Sequence, residues 1–255
     1  LQIASVFLII DFSQIKEVTM KQIPDYHQKP ECYESQSRIA DQGKDDAGNY
    51  VILENTIFYP QGGGQPSDQG IMRVENLEIP IHSVKIKEGE IRHYTAVEIP
   101  DFKNAVVSVK IDSQRRNLNS RLHSAGHVIS HAIEAIYPRC RAIKGHHFPG
   151  ECYVEFQYSE EVNLSLVNAE IEQLIQQNAH VASSYVSGAE LPKLCPNLSY
   201  TVPAHDQIRL IKIGAYEQQP CCGTHVQSLG ELRGLRITKQ KSKGGTLKLT
   251  YEINC

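Results

Sequence analysis

His123 and His127 stand four residues apart, and Cys221 and His225 repeat that spacing far downstream. On a helix, side chains four apart leave the same face about one turn from each other, so two imidazoles at that spacing make half of a metal site. Cys221 and His225 lie in a Pro220-initiated, glycine-containing stretch that reads as a loop. Three imidazoles and one thiolate suit zinc in tetrahedral coordination. A second reading stays open, in which Cys221 is a small buried hydrophobe and the histidines are hydrogen bonded inside the fold. A zincin protease is disfavoured, because it needs glutamate beside its first histidine and Ser124 stands there.

The histidine pair needs a helix to carry it. Leu118, Leu122, Ala125, Ile129, Ile133 and Ile136 recur at spacings of three and four, with Asp112 or Ser113 available as N-cap and Pro138 to stop the run. His123 and His127 fall at the edge of that apolar stripe. Upstream, short β-branched segments at 50–59, 70–74, 82–86, 91–97 and 105–111 are separated by turn residues, a pattern that suggests a small β-barrel. The period changes from two to 3.6 near 110–113, which predicts a boundary there. Beyond it come a strand at 152–158, a helix at 163–180, a strand at 208–213, and a hairpin of 235–241 and 246–253 around Gly244-Gly245. The expected class is therefore α+β: a β-barrel domain at 20–111, then an α+β domain at 112–255 with helices packed on an antiparallel sheet. Residues 1–19 read as an N-terminal extension.

Within the first region, Phe58 to Gly70 contains Gly62, Gly63 and Gly64 in succession, followed by Gln65 and Asp68. Consecutive glycines allow positive φ and uncover backbone N–H groups, so the loop could approach a phosphate, ribose or terminal base; a tight connection between strands would look the same. It is not a P-loop, since the Gly-Lys-Ser/Thr ending is missing. Lys239, Lys241 and Lys243 alternate along a strand and could meet phosphates as a basic ridge, or form a solvated face.

The net charge of −3 at pH 7 argues against a generally basic nucleic-acid binder, although a local stripe can still hold phosphate. Seven scattered cysteines fit a reducing, cytoplasmic setting better than a disulfide framework. No apolar run approaches the roughly 20 residues that span a bilayer, so no membrane partner is expected.

Four motifs in order, Gly62-Gly-Gly-Gln-Pro-Ser-Asp68, Arg121-x-His123-x3-His127, Lys144-Gly-His146-His-Phe-Pro149 and Pro220-Cys221-x-Gly-Thr224-His225-Val226, resemble those of the freestanding alanyl-tRNA editing proteins, the AlaX family. The resemblance covers about residues 45 to 253. It implies a translation-factor-like barrel followed by the editing domain shared with alanyl- and threonyl-tRNA synthetases. It also implies hydrolysis, in trans, of the ester joining serine or glycine to tRNA(Ala). Carried over to this sequence, His123, His127, Cys221 and His225 would hold zinc and serve catalysis, the metal either activating a water or ordering the site. Gly62, Gly63, Gly64, Gln65, Asp68, Arg121, Ser124, His146, Thr224, Lys239, Lys241 and Lys243 would meet the substrate or tRNA. Departures include Cys222, where glycine is commoner, and Ile143-Lys144, where some relatives place a hydroxyl or amide; serine against glycine therefore stays open. A tRNA-binding module with a structural zinc is the alternative.

Overall fold

The computed structural model describes residues 24–158, 160–196, 198, 202 and 207–254, so the expected extension at 1–19 lies outside the described residues. A four-residue helix, α1 (Asp25–Gln28), leads into seven strands: β1 (Glu34–Asp45), β2 (Gly48–Leu53), β3 (Gly70–Val74), β4 (Leu77–Ile81), β5 (Ser83–Lys87), β6 (Glu90–Thr95) and β7 (Val106–Ile111). They form one antiparallel sheet in the order β4-β3-β7-β1-β2-β6-β5. The alternation in β7 sends Val107, Val109 and Ile111 inward, where they join Ile39, Met72 and Ile79 in a common core.

The expected closed barrel is not seen as a continuous ring of paired strands. β4 and β5 are the two ends of the sheet, joined by His82 alone. The backbone N–H of His82 already donates to the Tyr94 carbonyl, and Ser83 pairs with Tyr94, so the chain is committed to β6 as soon as it leaves β4. β1 was not visible in the sequence, because among its residues only Ile39 is fully buried.

The second part opens with α2 (Ser113–Ile136), capped by Asp112, whose carboxylate accepts from the Arg115 N–H at 3.0 Å. It continues through β8 (Arg141–His146), β9 (Tyr153–Gln157), α3 (Leu164–Gln176), β10 (Val181–Val186), α4 (Leu191–Leu194), β11 (Ile208–Ile213), β12 (Gln219–Pro220), β13 (Leu235–Lys243) and β14 (Thr246–Ile253). Two antiparallel sheets result, β13-β14-β9-β8 and β10-β11-β12. Val154, Phe156, Leu247, Leu249 and Tyr251 face inward with Ala125, Ile129 and Ile133 of α2, which makes the architecture α+β. α3 stops at Gln176 rather than running to 180: Asn178 takes a positive φ of 48° and its side chain accepts from Gly230 N–H.

The two parts are tied at the glycine motif. Arg116 of α2 is 1% exposed and donates from Nε to both oxygens of Asp68, which is 0% exposed, and from Nη2 to the Ile57 carbonyl. Gln65 reaches the other way: its amide donates to Thr224 Oγ1 at 2.9 Å and its carbonyl accepts from Thr224 N–H at 3.0 Å.

Candidate metal centre

Local sequence builds each half of the centre separately. Regular α2 geometry brings the His123 and His127 rings within 5.3 Å of each other, His123 turned inward at 2% exposure and His127 half-buried. The Cys221 loop follows β12, whose Pro220 and Gln219 pair with Leu210 and Ile211. Arg209 on β11 then folds the loop back on itself, donating from Nη1 to the carbonyls of Cys221 and Gly223. Gly223 is required here, because a Cβ would run into the His123 ring.

The halves meet. One donor atom from each of His123, His127, Cys221 and His225 lies within 4.8 Å of the others. Cys221 Sγ sits 3.0 Å from His123 Nε2 and 3.3 Å from His225 Nε2. Neighbours orient the rings. His127 Nδ1 lies 2.9 Å from Gln219 Oε1, which only accepts, so Nδ1 carries the proton and Nε2 keeps its lone pair. His225 Nδ1 rests 3.1 Å from Ser124 Oγ, itself held by Val226 N–H. His123 Nδ1 is buried without a hydrogen-bond partner.

Electrostatics favour the ligand forms of the imidazoles. Burial, then the neighbouring rings of His147, His225 and His127, hold His123 well below the ordinary histidine range. Burial and then His127 do the same to His225, and burial lowers His127 against the opposing Gln219 bond. Burial pushes the Cys221 thiol up, opposed by Arg209. The imidazoles are thus held in the neutral form that ligates a metal, and the Cys221 thiol would release its proton to solvent on binding a cation. The residues therefore fit a metal.

The glycine loop closes over this centre. Gly63 and Gly64 have φ of 53° and 76°; a Cβ on Gly63 would lie 3.1 Å from Cys222 Sγ, and one on Gly64 would strike the Gly145 carbonyl. Gly62 pairs with Gln65 as an isolated bridge and accepts from the Tyr59 hydroxyl. Of the other residues expected to meet substrate, Ser124 and Thr224 lie beside the donors, fully engaged within the protein. Gln65 and Asp68 are buried in the ties to Thr224 and Arg116. Arg121 is half-buried, its Nε donating to the Glu231 carbonyl at 2.8 Å. His146 faces the opposite side of the β8 sheet, and Lys239, Lys241 and Lys243 occupy the far strand.

Sequence reasoning did not single out Gln219 or Arg209, and it gave no role to His147, which stands inside the 144–149 motif. Gln219, two residues before Cys221, carries no signal of its own until β12 aims it at His127. The His147 ring packs 4.6 Å from His123 in space left by Gly126 and Gly145. Its Nδ1 lies 2.6 Å from the Tyr251 hydroxyl, which donates to the Leu122 carbonyl, and burial lowers its pKa to about 3.

Known proteins with similar sequences are tRNA synthetases and editing proteins. A family model for class II (A) tRNA synthetases matches residues 11–115, and one for the threonyl and alanyl tRNA synthetase second additional domain matches residues 208–248. The chain is 30% identical over 226 residues to the alanyl-tRNA editing protein AlaX-L of Pyrococcus horikoshii, covering 86% of this chain and 55% of that protein. It is 27% identical over 241 residues to AlaX-M of Methanosarcina acetivorans, covering 87% and 95%. The alanine–tRNA ligase of the same organism is 28% identical over 209 residues, covering 75% of this chain. The chain thus spans about half of AlaX-L and 22% of the ligase. With these likenesses and the cluster of His123, His127, Cys221 and His225 behind the glycine motif, the chain belongs to the AlaX family of alanyl-tRNA editing proteins.

Proposed function

We propose that this chain hydrolyses the ester of tRNA(Ala) mischarged with serine or glycine. The observation that carries the reading is the convergence of four metal donors within 4.8 Å directly behind the glycine turn. The proposal divides the chain near 111/112, one unit presenting the glycine loop and the other the donors. The family relationship and the six free cysteines among the described residues support action in a reducing cytoplasm.

The donor set favours zinc. A tetrahedral zinc with bonds of about 2.3 Å to sulfur and 2.0–2.1 Å to nitrogen needs S···N separations of about 3.6 Å, so Cys221 and its histidines at 3.0 and 3.3 Å need open by only about half an ångström. Bound there, zinc would supply positive charge to the ester carbonyl or to a water. The chain's own residues do the positioning. Gln219 and Ser124 fix the His127 and His225 rings, and Arg209 holds the loop that carries Cys221. Gly63 and Gly64 let the loop pack closely against Cys222 and Gly145, which sets it beside the donors, where a terminal ribose would approach. Selectivity follows from hydroxyl recognition: a charging site built for alanine rejects an added hydroxyl poorly, whereas a site with a polar group for that hydroxyl can demand it.

The test is deacylation of Ser-tRNA(Ala), Gly-tRNA(Ala) and Ala-tRNA(Ala), with metal content determined on the same protein and Cys221→Ala as control. Loss of serine or glycine with Ala-tRNA(Ala) spared, abolished by the substitution, is the expected result. A zinc-loaded protein that binds tRNA and turns over none of the three would overturn the hydrolase reading in favour of a binding module.

A further inference from the structure

The solvent face of the β13-β14-β9-β8 sheet carries a charge pattern that sheet stability does not explain. In β13 a bulge between Ile237 and Lys239 changes the parity of the strand. Leu235 and Ile237 point inward, yet Lys239, Lys241 and Lys243, which would share their face in a regular strand, point outward. Register then lines up rows across the sheet. Lys241 opposes Lys248, Lys248 opposes Glu155, and Glu155 opposes Lys144. A neighbouring row runs Lys239, Thr250, Tyr153 and His146. Like charges directly opposite destabilise a sheet, so an anion on the Lys241–Lys248 pair would relieve a repulsion that Glu155, opposite Lys248, offsets from one side only.

Little else neutralises the face. Glu252 is taken by Arg236 at 2.7 Å, which leaves Glu155, with Glu151 at 3.5 Å from His146 Nε2 at the far end, against five lysines in a chain whose net charge is −3. At the β8 end the face turns aromatic and flat. His146 stacks on Phe148 with centroids 4.4 Å apart and planes 4° from parallel, and on Tyr153 at 5.1 Å and 25°. Lys248 Nζ lies 3.4 Å over the Tyr153 ring. Lysine rows ending in a flat aromatic tier are the combination that tracks a phosphate backbone and stacks a base.

We propose that this face docks RNA, with phosphates along the lysine rows and the strand's terminal nucleotides crossing the His146–Phe148 tier toward the metal centre. The inference rests on the tRNA reading above and adds where the tRNA body lies. His146 and His147 are successive residues of the edge segment, one on the outer face and the other 4.6 Å from His123. The glycine loop is bonded to that segment, His147 N–H donating to the Gly64 carbonyl, so a single-stranded 3′ end that leaves the tier would round the β8 edge past Gly64 to meet the donors. The three strand spacings from β13 to β8 span about 14 Å, enough for several nucleotides.

The experiment titrates fluorescein-labelled, uncharged tRNA(Ala) with the metal-loaded full chain across a range of KCl concentrations. Lys239→Gln/Lys241→Gln/Lys248→Gln should weaken binding about tenfold or more and lower the log–log salt slope by about one for each phosphate that a lysine no longer neutralises. The corresponding triple arginine variant should restore both, which a folding defect would not allow. His146→Ala should weaken binding roughly fivefold or more at unchanged slope, as the removal of stacking predicts. Lys103→Ala, whose ammonium pairs with Asp41 on the other sheet, should change nothing. An unchanged slope in the triple glutamine variant overturns the proposal, as does binding to phosphatidylserine vesicles that is tighter than to tRNA and abolished in that variant. Slope-dependent tRNA binding by a protein that deacylates nothing would keep the docking face and remove the hydrolase reading. Deacylation unaffected by the triple glutamine change would do the reverse.

Discussion

Replacing Asp68 with alanine should cost stability before it costs anything else. Asp68 stands in the glycine motif, but its carboxylate is 0% exposed and faces Arg116, which is 1% exposed, with Tyr59 N–H donating to Oδ2 at 2.7 Å. The alanine variant leaves a guanidinium buried with only the Ile57 and Pro30 carbonyls. Breaking a buried pair from one side costs about 3–5 kcal/mol, because the remaining charge is uncompensated. At roughly 2–4 °C per kcal/mol for a chain of this size, Tm should fall by about 6–20 °C. Scanning calorimetry of the parent, Asp68→Ala, Arg116→Met and the double variant Asp68→Leu/Arg116→Met reads the effect directly. The double variant should recover much of the deficit, since apolar replacements of a buried pair are often close to neutral. A Tm within about 2 °C of the parent for Asp68→Ala, or a double variant as unstable as the single, would refute the reasoning and return Asp68 to the substrate.

Gln219→Ala should lower metal affinity about 10–100-fold in competition with a chromophoric chelator, while Gln219→Glu, which still accepts from His127 Nδ1, should retain it. Metal binding near neutral pH should release about one proton, because burial keeps the Cys221 thiol protonated and the three histidines neutral; the dependence of calorimetric heat on buffer ionisation enthalpy measures it. His93, buried with Nδ1 on the Val51 carbonyl and Nε2 on Thr56, has its pKa lowered by burial from 6.5 to about 4. A lowered folded pKa means the unfolded chain takes the proton first, so this contribution of about 3 kcal/mol is whole above pH 6.5 and disappears as pH falls toward 4. His93→Gln should flatten that part of the acid slope in urea unfolding at successive pH values. Burial lowers His27 and His131 to about 3, so they act with the same sign and the flattening is partial.

Local features were legible in the sequence because their causes are local. The Asp112 cap, the apolar period through Ile133 and the stop before Pro138 define α2, and regular helix geometry then puts His123 and His127 on one side. The strands Gly70–Val74, Ile208–Ile213 and Thr246–Ile253 were equally visible, each an apolar alternation or run bounded by turn residues. The donor chemistry of His-x3-His and Cys-x3-His was likewise present in residue type and spacing alone. What the sequence could not supply were relations between distant segments. β1 is too polar to read as a strand until β2 and β7 pair with both its edges. Gln65 looked like a ligand contact, but its amide is spent on Thr224, 159 residues away. The three lysines of β13 looked like one face in either case, yet only the bulge at Ile237/Lys239 turns that face outward, and only the registers of β14, β9 and β8 set Lys248, Tyr153 and His146 beside them. Spacing along the chain fixes which side chains share a helix turn or a strand face. Which face meets water, which polar group is already satisfied and which donors converge depend on partners that only the folded chain brings together.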